Sequence, residues 1–530
     1  MDRQRLTLTT AIPYVNGPPH LGHALELVQT DVLARHRRLR GQQVRFQTGT
    51  DDNAFKNVAA ARAAGQPIRE FVDAHGDGFA ALRDTLTLSY DDFIRTSSDP
   101  RHAPGVQRLW RQCAANGDFY QHRYEGLYCN GCEQFYAPGD VAESRCPEHA
   151  APLHRVVEQN WFFRLSTYAD ELHRVIAEGE VAVVPATKRN EVLAFIKSGL
   201  ADFSVSRPAG RSGGWGIGVP DDPSQVVYVW WDALTNYVTA LGYGTDDGSA
   251  YRDWWVDADE RVHVIGKGIL RFHAVYWLAL LLSAKQPLPT SIFVHDYVSV
   301  DGEKLAKSAA GAVGPADVVA AYGVDALRWW FVREVPVVGD VDFTVERLVG
   351  CANTDLANGL GNLVQRTLTL VRTYSGGQLQ LLGNPGPPVN GCPVVAGSPA
   401  YPPALPAAEL LTAAVTALPN QIDAALGRFD LRSASTALCA VVDAGNKYVE
   451  QTRPWEIARR AASADAGGTS ELDAVLATLV HACRSIVHEL TPFLPTAAAE
   501  LRHQLGQGSR VGAPTPVFPR LGATTEPPLG

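Results

Sequence analysis

The sequence predicts a doubly wound parallel α/β sheet, split by an insertion and followed by an α-helical bundle. Three observations lead to this fold class. Residues 6–50 read strand, turn, helix, strand, the opening of a sheet wound with crossover helices. Sheet-like pattern stops near residue 113, gives way to clustered cysteines and a glycine-rich segment, and resumes at 226. From about 351 the chain is rich in alanine and leucine at helical spacing.

Taken in order, Leu6–Tyr14 (L-T-L-T-T-A-I-P-Y) is a β-branched strand and V-N-G-P-P a turn. Leu25, Val28, Val32, Leu33 and Leu39 then fall on one helical stripe. Q-Q-V-R-F-Q-T-G-T runs as a second strand into Asp51 and Asp52. These residues form the first half of a Rossmann-like domain, 1–112, in which ligands bind beyond the carboxyl ends of the strands. Residues 113–225 form the insertion, with R-P-A-G-R-S-G-G-W-G-I-G near its end. Strands are expected at 226–232, 262–268 and 291–300 in the second half, 226–300. A lysine-bearing loop region spans 301–350, helices fill 351–508, and a Pro/Gly/Thr-rich tail, 509–530, is expected to trail over the surface. Residues 376–408, dense in Gly and Pro, are expected as a long surface loop.

The 530 residues are 46% apolar and 19% charged, which excludes a disordered chain, a collagen-like repeat and a small disulfide scaffold. A net charge of −9 argues against global attraction to nucleic acid but leaves room for local basic patches, such as R-H-R-R-L-R at 35–40. That run either touches phosphates or is a solvated helix face. Ala274–Ala284 is the strongest apolar run, too short to span a bilayer, so it is expected as a buried helix. With no secretory pattern at Met1–Thr10, a cytoplasmic protein without a membrane partner is expected.

Two motifs carry phosphate chemistry. Pro19-His20-Leu21-Gly22-His23 places two imidazoles at a helix N-terminus, where free N–H groups and the positive dipole end attract a polyphosphate. Gly22 lets a flat ring approach the backbone. The bland alternative is two polar residues capping a helix. Gly302–Ser308 (G-E-K-L-A-K-S) sets Lys304 and Lys307 three apart on a Gly-flanked loop, able to follow a migrating phosphate charge or merely solvated. A third motif, Cys129-x2-Cys132 followed by Cys146-x2-His149, has the donors and spacing of a closed tetrahedral zinc site, structural rather than catalytic. The other cysteines, 113, 351, 392, 439 and 483, are scattered.

The first two motifs, about 280 residues apart and each after a strand, resemble the HIGH and KMSKS elements of class I aminoacyl-tRNA synthetases. The rest of the chain resembles the methionyl-tRNA synthetase family. T-T-A-I-P-Y-V-N-G-P-P-H-L-G-H-A, Q-T-G-T-D-D (47–52), Q-N-W-F-F-R (159–164), Y-V-W-W-D-A-L-T-N-Y (228–237) and I-G-K-G-I-L-R-F-H (265–273) carry the likeness. Y-G-V-D-A-L-R-W-W (322–330) and N-T-D-L-A-N-G-L-G-N-L-V-Q-R (353–366) extend it, in order, from about residue 7 to 500.

The resemblance implies L-methionine, ATP with Mg, and initiator and elongator methionine tRNAs as partners. His20, His23, Lys304 and Lys307 would be catalytic, and His20, Gly22, His23, Gly266 and Lys307 would hold ATP. Ile12, Tyr14, Trp230, Ala233, Tyr237 and His273 would line the methionine slot, with Asp51 on the α-ammonium group. A thioether suits an apolar, aromatic-edged slot, and a buried carboxylate suits an ammonium. Asn362 and Arg366, one helical turn apart, and Trp455 would read the anticodon by base-edge hydrogen bonds and stacking. Without the family, Trp455 reads equally as a helix-entry staple.

The chain departs from the family pattern. K-M-S-K-S is Lys304-Leu305-Ala306-Lys307-Ser308, E-H-G after Asp51 is Asp52-Asn53-Ala54, and the aspartate of G-K-D-I is Gly268. These changes imply a divergent paralogue. Two rival functions follow: activation of a methionine analogue or another apolar amino acid, and a tRNA-binding regulator that no longer catalyses. The family's common C-terminal oligonucleotide-binding fold has no counterpart before Gly530, so a monomer is expected. Met1 is the only methionine, which fits an enzyme synthesised when its own substrate is scarce, drift in an Ala/Arg-rich genome, or engineering.

Overall fold

The computed structural model describes residues 4–129, 134–136, 145–146, 152–211, 213–300, 303–304, 314–379, 406–463 and 468–522. Its centre is a six-stranded sheet of β1 (Arg5–Thr10), β2 (Gln43–Thr50), β3 (Asp92–Arg95), β4 (Ala182–Val184), β5 (Glu260–Gly266) and β6 (Ser291–His295). The order is β3-β2-β1-β5-β6-β4, and every pairing is parallel. The chain winds outward from β1 through β2 and β3, then returns to β1's other edge with β5. That reversal opens a crevice beyond the carboxyl ends of β1 and β5. Strands buried on both faces lose the alternation of a one-sided sheet; Leu6–Thr10 are all buried.

Helix α1 (Leu21–Leu39) crosses one face and buries Leu25, Val28 and Val32 of the expected stripe. The apolar core on that side continues from Leu8 and Phe46 through Trp330 and Leu363 into the bundle, to Leu476 and Leu501. The bundle consists of helices Pro406–Leu426, Leu431–Thr452, Pro454–Ser463, Gly468–Leu490 and Pro495–Leu505. The other face packs on a second core built around Trp231, Trp255 and Trp277.

Four expectations change. The 113–225 segment is an insertion only in part: Phe119–Cys129 pairs antiparallel with His154–Phe163, but Ala182–Val184 joins the main sheet as its edge strand. Residues 226–232 are not a sheet strand. A short strand ends at Val227, and Val229–Thr239 is a helix with ten of its eleven residues buried. Burial on all sides erases the helical stripe, so an apolar run looks strand-like. The basic run is more than a solvated face: its partly exposed arginines are paired within the fold. Arg35 bonds Asp31, Arg37 bonds Glu260, and Arg38 bonds Asp91, each guanidinium held within the fold. As far as residue 522 the tail is pinned rather than trailing: Asn353 and Leu521 exchange two 2.8 Å amide bonds, and Phe518 packs on the core; residues 523–530 lie outside the described residues. All of Ala274–Ala284 but its last residue, the C-cap, lies in the largely buried helical segment Phe272–Ser283, and no helix of the described residues is long and apolar enough to cross a membrane.

Candidate active site

At the sheet's reversal point lies a cavity of about 320 Å³. Its lining contains Ile12, Tyr14, His20, Gly22, His23, Asp51, Trp230, Ala233, Tyr237, Gly266 and His273. Segments from four separate parts of the chain thus meet where parallel-sheet geometry opens a crevice. Lys304 belongs to the two-residue strand Glu303–Lys304, whose backbone pairs with Ser299. Lys307 lies outside the described residues.

The two imidazoles cap the helix. His20 is the N-cap of α1 and accepts Gly22 N–H at 3.1 Å through Nδ1, while His23 Nδ1 accepts His20 N–H at 3.1 Å. The rings stack with centroids 3.7 Å apart. A neutral imidazole accepting at Nδ1 carries its proton on Nε2. Each ring's donor is therefore at Nε2, beside a positive helix end. A Cβ on Gly22 would stand 3.0 Å from His20 Cε1, so glycine makes room for the cap itself.

The slot wall is aromatic and its hydrogen bonds are fixed. His273 Nδ1 lies 2.9 Å from the Ile269 carbonyl, which only accepts, so the proton is on Nδ1. Burial depresses the His273 pKa to about 4, so the ring is neutral and Nε2 accepts the Tyr237 hydroxyl at 2.7 Å. Behind Tyr237 stands His263, its ring 4.1 Å away, which accepts Trp277 Nε1–H at 3.1 Å. His263 Nδ1–H then donates to Thr9 Oγ1 at 2.7 Å, and burial holds its pKa well below the usual range. Trp230 stacks on Phe272 at 3.6 Å and meets Tyr14 edge-on at 6.3 Å.

Asp51 is buried, its backbone bridged to Tyr14. Two of the departures have a structural reason. Asn53 donates to Asp232 Oδ2 at 2.8 Å, and the other oxygen of Asp232 lies 2.5 Å from His102 Nε2. Asn53 thus completes a buried network under the helix that carries Trp230 and Tyr237. At Gly268 a Cβ would fall 2.1 Å from the Tyr297 hydroxyl, so the tyrosine fills the space an aspartate there would need. Asp52 turns away from the crevice toward Ser97, which donates to it at 2.8 Å; burial raises its pKa against the pull of Arg95.

Sequence reasoning missed Glu26, Phe272, His295 and Tyr297, all near or on this wall. Glu26 and His23 share one face of α1, a spacing visible in the sequence; Glu26 Oε2 lies 3.0 Å from His295 Nε2. His295 and Tyr297 gave no signal, because only the pairing of β5 with β6 brings them to Gly266.

Away from the crevice, Asn362 is exposed and Arg366 half-buried on the helix Asn362–Ser375, which touches the helix Pro454–Ser463 bearing Trp455. Trp455 is partly buried against the core, as a staple would be. Cys129 and Cys146 are both buried in one small cluster with Leu153. Cys132 and His149 lie outside the described residues. Among the described residues no group of three potential ligands is placed to hold a metal.

Known proteins resemble the chain throughout. A family model described as class I tRNA synthetases (M) matches residues 6–155 and 151–368, and one for the anticodon binding domain of methionyl tRNA ligase matches 399–518. The chain belongs to the class I methionyl-tRNA synthetase family. The methionine–tRNA ligase of Brucella suis is 38% identical over 98% of this chain and 98% of its own. That of Caldanaerobacter subterraneus is 35% identical over 98% of this chain and 79% of its own. The fold also follows Mycobacterium tuberculosis methionyl-tRNA synthetase in complex with methionyl-adenylate, with a TM-score of 0.87 at 35% identity, covering 98% of this chain and 100% of that one. The helices from Pro406 onward lie inside the anticodon-domain match.

Proposed function

We propose that the chain activates L-methionine with Mg-ATP and transfers it to initiator and elongator methionine tRNAs. One observation carries this reading: the capped imidazole pair, the aromatic slot and Asp51 line a single cavity. The methionine carboxylate attacks the α-phosphorus, the bond to the β-phosphate oxygen breaks, and pyrophosphate leaves. The terminal adenosine hydroxyl of tRNA then attacks the activated carbonyl and AMP departs.

Asp51 binds the ammonium group as a charge-assisted partner. Ile12, Tyr14, Trp230, Ala233, Tyr237 and His273 enclose the thioether. Both donors of the Tyr237–His273 pair are spent on protein acceptors, so contact with sulfur is through shape and dispersion. The Nε2–H groups of His20 and His23, with Lys304 and Lys307, stabilise charge on the phosphates, and Gly22 and Gly266 leave room for the nucleotide. Positioning and fixed charge supply the catalysis. Asn362, Arg366 and Trp455 read the anticodon.

Cys129, Cys132, Cys146 and His149 would hold a structural zinc. Two buried cysteines in one cluster fit that role, and the metal would brace the inserted ribbon without entering the reaction. The proposed reaction places the protein in the cytoplasm, where tRNA is charged.

The test is ATP–pyrophosphate exchange across an amino acid panel, followed by charging of both methionine tRNAs. Methionine should give the highest kcat/KM. A higher value for an analogue would favour the paralogue reading, and tRNA binding without exchange would favour a regulator.

A further inference from the structure

Helix α1 carries the phosphate-binding imidazoles at one end and is fastened to the anticodon-type domain at the other. Arg40, its C-cap, donates Nε–H to Asp423 at 2.7 Å and makes a two-pronged contact with Glu489, at 3.1 and 2.7 Å. His36 Nε2 lies 2.7 Å from the same Asp423 oxygen. Asp423 belongs to the helix Pro406–Leu426 and Glu489 to Gly468–Leu490. Midway along α1, buried Asp31 accepts Arg328 Nη2–H at 2.8 Å, and the same guanidinium donates to the carbonyls of Phe493 and Pro492 at 2.8 and 3.2 Å. At 1.5 Å per residue the 19-residue helix is about 28 Å long.

The apolar core that also joins these regions is non-directional and tolerates small slips. Buried charge clusters behave differently. They add little net stability, because desolvation offsets the attraction, but they are satisfied in one geometry only. Glu489 is 3% exposed and Arg328 fully buried, whereas the Asp423 side chain is partly exposed, so the Arg40–Glu489 and Arg328–Asp31 contacts are the ones that set register.

Resting on the functional reading above, we propose that α1 is a rigid spacer between anticodon reader and catalytic histidines, with Arg40 as the positioning residue that fixes it for charging of whole tRNA. The activation step needs only the crevice and is independent of that register.

Arg40→Gln and the milder Glu489→Gln are compared with the unaltered protein in three assays: methionine-dependent pyrophosphate exchange, charging of full-length methionine tRNA, and charging of an acceptor-stem minihelix that ends before the anticodon. Exchange and minihelix charging should change less than about twofold, while kcat/KM for the full tRNA falls by about 10-fold to about 100-fold, the scale of a misplaced reacting group. The double variant should be no worse than Arg40→Gln, because one contact is broken. Unchanged charging of the full tRNA overturns the proposal. So does a parallel loss in all three assays with a lowered melting temperature, which marks a merely structural role. Absence of exchange in the unaltered protein overturns the functional reading and this inference together.

Discussion

The crevice floor and the helical domain are built on opposite principles. Beneath the crevice, charged and polar side chains are buried: Asp52, Asn53, His102, Asp232, His263 and His273. In the helical domain, among the described residues from 406 onward, only Ser435, Thr452, Glu489 and Gln504 are buried polar groups. The rest of its core is apolar, and the candidate base-reading Asn362, on the helix leading into it, is exposed. A reaction site needs groups held at fixed angles in a water-poor space, and hydrogen-bonded burial supplies that. A reader of single-stranded bases needs accessible edges, and of the three candidates only Asn362 is exposed, beside a bundle held by apolar packing.

The contrast can be broken first at Asp232. Asp232→Ala leaves His102 and Asn53 buried without their shared partner, and should cost about 3–5 kcal/mol in urea unfolding; a loss below about 1 kcal/mol would mean the floor is no tighter than the bundle. Lys307→Ala separates charge from folding. Quench-flow should show adenylate formation slowed by about 10²–10³ with methionine affinity little changed, and unaltered pyrophosphate exchange would remove Lys307 from the mechanism.

Acid should destabilise the floor. His273, neutral in the fold with a pKa of about 4, protonates near 6.5 when unfolded, so its stability contribution is complete above that value and is lost as pH falls toward 4. His263 is shifted in the same direction. Between about pH 7.5 and about pH 5, folding stability should drop by about 2 kcal/mol through His273, read as a falling urea midpoint, and His273→Gln should flatten that slope. Tyr237→Phe removes one donor to His273 and should raise KM for methionine by about 1 kcal/mol in binding terms, with kcat steady. Asn362→Ala is the smallest perturbation of the fold, within about 0.5 kcal/mol; only tRNA charging should weaken, and a shifted melting temperature would place Asn362 in the packing instead.

Most of the cavity-lining residues could be named from the sequence because they sit in short motifs that carry the family resemblance. His20 and His23 follow a strand and open a helix, a local signal. Helix 229–239 was misread because it is buried all round, although its residues Trp230, Ala233 and Tyr237 were identified. The edge strand Ala182–Val184 was hidden because three residues carry no periodicity. His263 passed unnoticed because a histidine in a strand looks like any core polar residue until Thr9, Trp277 and Tyr237 surround it.

What the sequence determined by itself was therefore the local grammar: the first strand, turn and helix, the helical C-terminal region, and the motifs with donor types suited to phosphate; the ammonium and thioether assignments followed from the family resemblance. Such features depend on spacing within one element, which the chain states directly. The tertiary structure decided which distant segments share a wall, which nitrogen of each buried histidine carries the proton, and that R-H-R-R-L-R pairs with carboxylates of the fold. Those outcomes depend on partners supplied from hundreds of residues away, as Asp423 and Glu489 are to Arg40, and burial then fixes the charge state and the geometry together.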